Sequence, residues 1–283
     1  MKLSVIIPAA GTGTRFGATS DGQPVSSKIE ARLADRPIFM HAIECFQHRD
    51  DVGQIILAVH PEILERFRLS HGDQLGFLGV LLVAGGVVDR WETVNKALDH
   101  VNADATHVAV HDAARPLAGE AMINRIVAAA EAHGAAIPVM PVNATLKRVG
   151  PEMQPDAGAD ADPLDAILGA AGRPDVAVRP VLETLDRCDV VEVQTPQIFR
   201  VELLRRAHAQ LKGKRAEEVA ATDDAALVEM LGETVMTVPG ELKNLKITRT
   251  DDLKLAEIIA ALDAKARAAD AGVRRLFTDD DDA

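Results

Sequence analysis

Short apolar runs recur through the first half of the chain, each closed at one end by Gly, Pro, Asp or His, and the stretches between them carry apolar residues at helical spacing. Leu3 to Ile7, Gln54 to Val59, Val80 to Val83, His107 to Val110 and Ala135 to Val139 read as strands. Between the first two, Pro37 stands where the opening turn of a helix tolerates it, and Ile38, Ala42, Ile43 and Phe46 follow as one stripe. Similar stripes run through Trp91 to Val101 and Met122 to Ala130. Strands alternating with helices are the pattern of βαβ units. The expected fold class is therefore α/β, a Rossmann-like, mostly parallel sheet with helices on both faces.

From Gly150 to Arg179 the pattern dissolves into Gly, Pro, Asp and Ala, a composition that buries little and marks a surface insertion. Regular structure resumes at Val181. A strand is expected near Val190 to Val193, helices from about Val201 and from Asp223 to Leu231, strands at Val235 to Val238 and Leu245 to Ile247, and a closing helix after Thr250. The acidic run Asp279 to Asp282 reads as a solvated tail, and no internal repeat is present.

Composition narrows the function. The 283 residues are 47% hydrophobic but only 3% aromatic, so the core must come from Ala, Val, Ile and Leu, which suits a parallel sheet covered by helices. Few aromatics means no row of base-stacking rings, and 31 basic against 43 acidic residues, net -12, is the wrong balance for a duplex-binding surface. No nucleic-acid partner is expected. The first apolar run is too short for a signal sequence, and no stretch approaches the roughly 20 apolar residues that span a bilayer, so a soluble chain without a membrane partner is expected. Cys45 and Cys188 lack metal-type spacing and read as reduced thiols of a cytoplasmic protein.

A net-negative protein still binds a nucleotide if cations and backbone N–H groups converge in one cleft. The first strand ends in Pro8-Ala9-Ala10-Gly11-Thr12-Gly13-Thr14-Arg15-Phe16-Gly17, which places glycines at the carboxyl edge of the sheet, where open α/β proteins bind ligands. The dinucleotide fingerprint fails at Phe16, and a P-loop fails because Ala18-Thr19 follows Gly17. Arg15 gives this loop a permanent cation for a phosphate. The strand His107 to Val110 delivers His111, Asp112 and Arg115 to the same edge, where Asp112 can accept ligand hydroxyls or help hold a hydrated Mg²⁺, or can pair with Arg115 alone.

Five segments appear in order: the Gly-x-Gly-x-Arg-x-Gly loop, His111-Asp112-Ala113-Ala114-Arg115-Pro116, Gln194-Thr195-Pro196-Gln197, Thr222-Asp223-Asp224-Ala225 and Asn244-Leu245-Lys246-Ile247-Thr248. This order and spacing resembles the 2-C-methyl-D-erythritol 4-phosphate cytidylyltransferases, over Val5 to about Ala256. The resemblance implies transfer of CMP from CTP to a polyol phosphate, with a divalent cation such as Mg²⁺. It implies catalytic roles for Arg15 and Lys28, and nucleotide binding by Ala9, Ala10, Gly11, Thr12, Gly13, Gly85, Gly86 and Thr93. It places Asp112, Arg115, Thr195 and Lys246 on the acceptor, with Lys246 on the acceptor's phosphate. The resemblance also implies that Thr145, a further acceptor-binding residue, starts a protruding β-arm that swaps contacts across a homodimer, and that Arg187 reaches the neighbouring subunit's acceptor site. The domain expectation is a nucleotidyltransferase domain over 1–270, with arm and insertion at about 142–188, and a tail at 271–283.

Three departures stand against that pattern. The family's Pro-Lys-Gln-Tyr is Ser27-Lys28-Ile29-Glu30 here, so the lysine is kept and its surroundings are not. Gly85-Gly86-Val87-Val88-Asp89-Arg90 is longer than the family's acidic link to its arginine, and Thr93 stands where serine is common, able to cap its helix or to contact base or ribose. The Gly150 to Arg179 insertion is the third. They keep two alternatives open: a cytidylyltransferase for another polyol phosphate such as ribitol 5-phosphate, and a nucleotide-binding homologue that has lost turnover.

Overall fold

The computed structural model describes residues 1–11, 28–152, 178–213 and 221–278, with side chains as far as 266. Thr12, Gly13 and Arg15, most of the insertion and the acidic tail lie outside the described residues. The chain forms two compact units, one of Met1–Met140 with Val193–Ala283 and a smaller one of Pro141–Glu192.

In the larger unit, β1 (Leu3–Ala9) leads towards a small antiparallel pair, β2 (Arg32–Leu33) and β3 (Arg36–Pro37), and then to α1 (Ile38–Gln47). Pro37 is the residue that enters α1. There follow β4 (Val52–Val59), α2 (Leu64–Phe77), β5 (Val80–Ala84), α3 (Arg90–Leu98), β6 (His107–Val110), α4 (Glu120–His133) and β7 (Ala135–Pro141). The smaller unit pairs β8 (Leu146–Val149) antiparallel with β9 (Val181–Leu185), and β10 (Val191–Val193) leads out of it. The larger unit closes with β11 (Gln197–Arg200), α5 (Val201–Ala209), α6 (Asp224–Glu229), β12 (Met236–Pro239) and α7 (Thr250–Thr278).

The main sheet runs β7-β11-β6-β1-β4-β5, with β12 beside β7. β1 lies parallel to β4 and β6, and β4 parallel to β5. Successive residues of each strand face opposite sides, so the central strands must be apolar throughout once both sides are covered. Leu3, Val5, Ile7, Ile55, Leu57 and Val59 pack with α1, α2 and α4, while Ile6, Ile56 and Ala58 pack with α3, α5 and α6. No helix among the described residues is long and apolar enough to cross a membrane.

Two expectations need correction. No strand was expected between Val193 and the helix from about Val201, yet Gln197–Arg200 is a strand, antiparallel to both β6 and β7, so a mostly parallel sheet carries a reversed strand near its centre. Leu245 to Ile247 forms no ladder either. It is held by one backbone bond, Ile247 N–H to the Ala114 carbonyl at 2.9 Å, and by burial of the Ile247 side chain.

Candidate active site

The strand order reverses around β1: the chain goes outward to β4 and β5, then returns to the other side at β6. Loops diverge at such a point and leave a crevice at the carboxyl ends of the strands. A cavity of 350 Å³ lies there, lined by Pro8 to Gly11 after β1, Gly86 to Arg90 after β5, Asp112 to Ala114 after β6, and by Lys28, Thr93, Lys246 and Thr248. Its size falls within the range of small-ligand sites.

The wall after β5 is built on absent side chains. A Cβ on Gly86 would stand 2.5 Å from Cβ of Glu92 and 2.9 Å from N of Thr93, and one on Gly85 would stand 2.8 Å from Cγ2 of Thr93. The chain can fold this tightly onto the start of α3 only with glycine at both positions. The buried Thr93 hydroxyl accepts from Gly86 N–H at 3.0 Å, and Lys96 Nζ donates to the Gly85 carbonyl at 3.0 Å. Asp89, not Thr93, is the N-cap residue of α3, so the hydroxyl fastens the glycine loop instead of capping the helix. Gly86→Ala should therefore cost about 1–3 kcal/mol of stability through overpacking. Thermal melting checks the size of this loss.

At the end of β6 charges are concentrated. Asp112 Oδ1 accepts from Arg90 Nε at 3.1 Å, Asp112 Oδ2 lies 2.8 Å from Lys246 Nζ, and Arg115 Nε is 3.9 Å away. Burial opposes ionisation of Asp112, but Arg90, Lys246 and Arg115 together hold its carboxyl well below the usual carboxylate range. Arg90 also donates to Asp224, whose other oxygen faces His208 Nε2 at 3.2 Å, with both of those side chains wholly inside the protein. Burial likewise works against the Asp224 charge, and Arg90 and His208 bring its pKa down all the same. Arg90 thus bridges a carboxylate in the cavity and one beneath it.

The remaining sequence segments brace this cluster. Thr195 is buried, and its hydroxyl accepts from Asp112 N–H at 3.0 Å and lies 3.2 Å from His111 Nδ1. Arg115, expected on the acceptor, instead donates to the carbonyls of Asn244 at 2.7 Å and Val193 at 3.4 Å and does not line the cavity. Asn244 Nδ2 donates to the Thr195 carbonyl at 2.8 Å. These bonds, with Ile247 N–H to Ala114, bring Lys246 out beside Asp112. Gln197 donates to Asp223 at 2.7 Å and accepts from Ala225 N–H, which fixes Asp224 under Arg90.

Burial pulls the His111 pKa down from 6.5 to about 4, against the pull of the Arg115 carbonyl and Asp112. The unfolded chain takes up this proton near pH 6.5 and the folded one refuses it until about pH 4. Stability is therefore full above that upper value and falls as pH drops towards the lower, by about 2 kcal/mol between about pH 7 and about pH 5. Urea unfolding at the two pH values should show this loss, and His111→Asn should reduce it.

The family model for 2-C-methyl-D-erythritol 4-phosphate cytidylyltransferase (IspD) matches residues 3–168 and 165–261. The chain belongs to this family. A cytidylyltransferase of that name from Rhodopirellula baltica is 38% identical over 269 residues, which are 91% of this chain and 94% of the relative. One from Acidobacterium capsulatum is 37% identical over 257 residues, 90% and 96% of the two chains. Among solved structures, the 2-C-methyl-D-erythritol 4-phosphate cytidylyltransferase of Thermus thermophilus superposes with a TM-score of 0.65 at 30% identity, covering 92% of this chain and all of that one.

Of the residues that the family resemblance named, Ala9, Ala10, Gly11, Lys28, Gly86, Thr93, Asp112 and Lys246 line this cavity, and Gly85 supports its wall. Thr145 and Arg187 belong to the smaller unit, where both are exposed and Arg187 donates to the carbonyls of Val142 and Asn143. Arg90, Asp224 and His208 were missed. The available signal was the acidic pair Asp223-Asp224 inside a recognised segment, since a carboxylate at the start of a buried helix needs a cation.

Proposed function

We propose that this chain transfers CMP from CTP to 2-C-methyl-D-erythritol 4-phosphate, releasing pyrophosphate and 4-diphosphocytidyl-2-C-methyl-D-erythritol. The observation that carries the reading is the cavity that joins the loop after β1, the glycine wall after β5 and the Asp112–Lys246 pair. An oxygen of the acceptor's phosphate attacks the α-phosphorus of CTP, a new O–P bond forms, and the bond from that phosphorus to the bridging oxygen of pyrophosphate breaks. The attacking oxygen is already anionic near neutral pH, so bringing two polyanions together and neutralising the charge that develops is the main task.

In this reading the backbone of Ala9, Ala10 and Gly11, continuing through Thr12 and Gly13, holds the triphosphate, and Gly85, Gly86 and Thr93 shape the place of the base. A Cβ on Gly11 would meet no described atom within 4 Å. Arg15 and Lys28 stabilise the α-phosphate and the leaving group. Lys246 binds the acceptor's phosphate and Asp112 its hydroxyls. Arg115 and Thr195 act through Asp112, holding its backbone and its neighbours.

Asp112 does not fit as a direct metal ligand in this arrangement, because both its oxygens already face cations. Among the described residues no three His, Cys, Asp or Glu side chains gather into a metal cluster. A divalent cation such as Mg²⁺ would be brought by the nucleotide and would neutralise its phosphate charge. The smaller unit shows exposed apolar side chains at Val149, Val181 and Leu182, which suits burial against a second copy in a homodimer. Two thiols without a disulfide suit a cytoplasmic enzyme.

The experiment is pyrophosphate release from CTP with 2-C-methyl-D-erythritol 4-phosphate or ribitol 5-phosphate, before and after chelation of the divalent ion. The first acceptor should support the faster release, and chelation should abolish it. Preference for ribitol 5-phosphate would move the assignment to another polyol phosphate, and CTP binding without release would support a homologue that has lost turnover.

A further inference from the structure

Lys28 begins a short 3-10 turn, Lys28–Glu30, in which the family's Gln-Tyr is replaced by Ile29-Glu30. The two replacements point in different directions and both are anchored. Ile29 is buried in the apolar cluster that contains Phe39 and Phe67. The Glu30 carboxylate receives two hydrogen bonds from Arg66 on α2, Nη1 to Oε1 at 3.0 Å and Nη2 to Oε2 at 2.7 Å. His71, further along α2, brings Nε2 to 3.3 Å from Oε1.

This clamp is held by further contacts. The His71 ring packs against Phe39, at 5.1 Å between centroids, and Phe67, at 4.7 Å, two rings that also meet each other at 5.0 Å. Its position is therefore set by two core aromatics on different helices. The two parallel bonds from Arg66 fix the plane of the carboxylate as well as its distance. On the far side of the turn, Ala31 is buried, its N–H donates to the Lys28 carbonyl at 3.2 Å, and its carbonyl accepts from Ile38 N–H at 2.9 Å. The backbone of Lys28 is thus tied to α1 and α2, and the residue lines the cavity.

We propose that Glu30, gripped by Arg66 and His71, is the positioning residue for Lys28. The proposal rests on the assignment of Lys28 to the α-phosphate. A long lysine side chain loses rate when its root shifts by even 1 Å or so, because the charge must coincide with one that exists only in the transition state. The clamp should therefore act on turnover and not on the affinity for ground-state CTP.

The test measures kcat and KM for CTP by pyrophosphate release, on the full chain, for Glu30→Gln, Arg66→Gln, Lys28→Ala and the double variant Lys28→Ala/Glu30→Gln. Glu30→Gln and Arg66→Gln should lower kcat on the order of 10-fold with KM for CTP nearly unchanged. In the Lys28→Ala background Glu30→Gln should cost no further rate, because the side chain it positions is gone. Equal losses in the two backgrounds, or an unchanged kcat in Arg66→Gln, would overturn the proposal. If Lys28→Ala itself kept full rate, the assignment of Lys28 would fall first, so the two failures are distinguishable. Arg66 is 43% exposed at its side chain, so Arg66→Gln keeps the comparison open even if Glu30→Gln does not fold.

Discussion

Lys28→Ala should lower kcat on the order of 10²-fold or more while KM for CTP changes little, as for other donors aimed at charge that develops in a transition state. Lys28 lines the same cavity as the Asp112–Lys246 pair, and the Asp112 oxygens face Arg90 and Lys246. Acceptor and nucleotide both arrive as polyanions, and their mutual repulsion is greatest as the new O–P bond forms. A cation fixed there stabilises that moment more than either bound ground state. Steady-state kinetics across both substrates checks the split. A rise in KM with kcat intact would mean that Lys28 only helps to bind CTP.

The second large effect concerns stability. Arg90→Met should destabilise the fold by about 3–5 kcal/mol near neutral pH, because it leaves Asp224 charged and enclosed with His208 as its neighbour. Asp112 and Asp224 are held below the ordinary carboxylate range, so what they contribute is full above the unfolded value of 3.8 and is lost as pH falls below it. The gap between wild type and variant should accordingly be widest near neutrality and close below about pH 4. Urea unfolding across this range checks both the size and the sign. Arg90→Lys should rescue only in part, since a single ammonium cannot reach two carboxylates as a planar fork does. A variant with wild-type stability at neutral pH would show that the bridge contributes nothing.

The sheet was legible in the sequence because its central strands are apolar on both faces, and β1, β4, β5 and β6 fall where short apolar runs end in turn residues. The reversed strand was not. Gln197–Arg200 offers two buried apolar residues, Ile198 and Phe199, between Pro196 and a helix, too few to show a period, and its place in the sheet is decided by partners on β6 and β7. Leu245 to Ile247 failed the other way: local alternation suggested a strand, but Lys246 is carried by a loop that Arg115 and Asn244 hold from outside.

The same distinction runs through the site. Gly11, Gly86, Lys28, Asp112 and Lys246 stood out because the residue type itself is chemical or conformational. Arg90 stood where the family has its arginine but was given no role in the site, because its partners lie 22 and 134 positions away. Glu30 looked like a lost family residue because its clamp is 36 positions along the chain on another helix. Arg115 and Thr195 carry the family pattern, yet the structure turns their polar atoms towards backbone and towards His111. Segments that identify a family thus include the bracing of the site as well as the groups that face the ligand.

The most direct test is a crystal structure of the full chain with CTP and a divalent ion. The cytosine should lie against Gly85 and Gly86, with the Lys28 ammonium within hydrogen-bonding distance, about 3 Å, of an α-phosphate oxygen. A triphosphate bound away from the loop after β1, with that ammonium directed into solvent, would contradict the assignment.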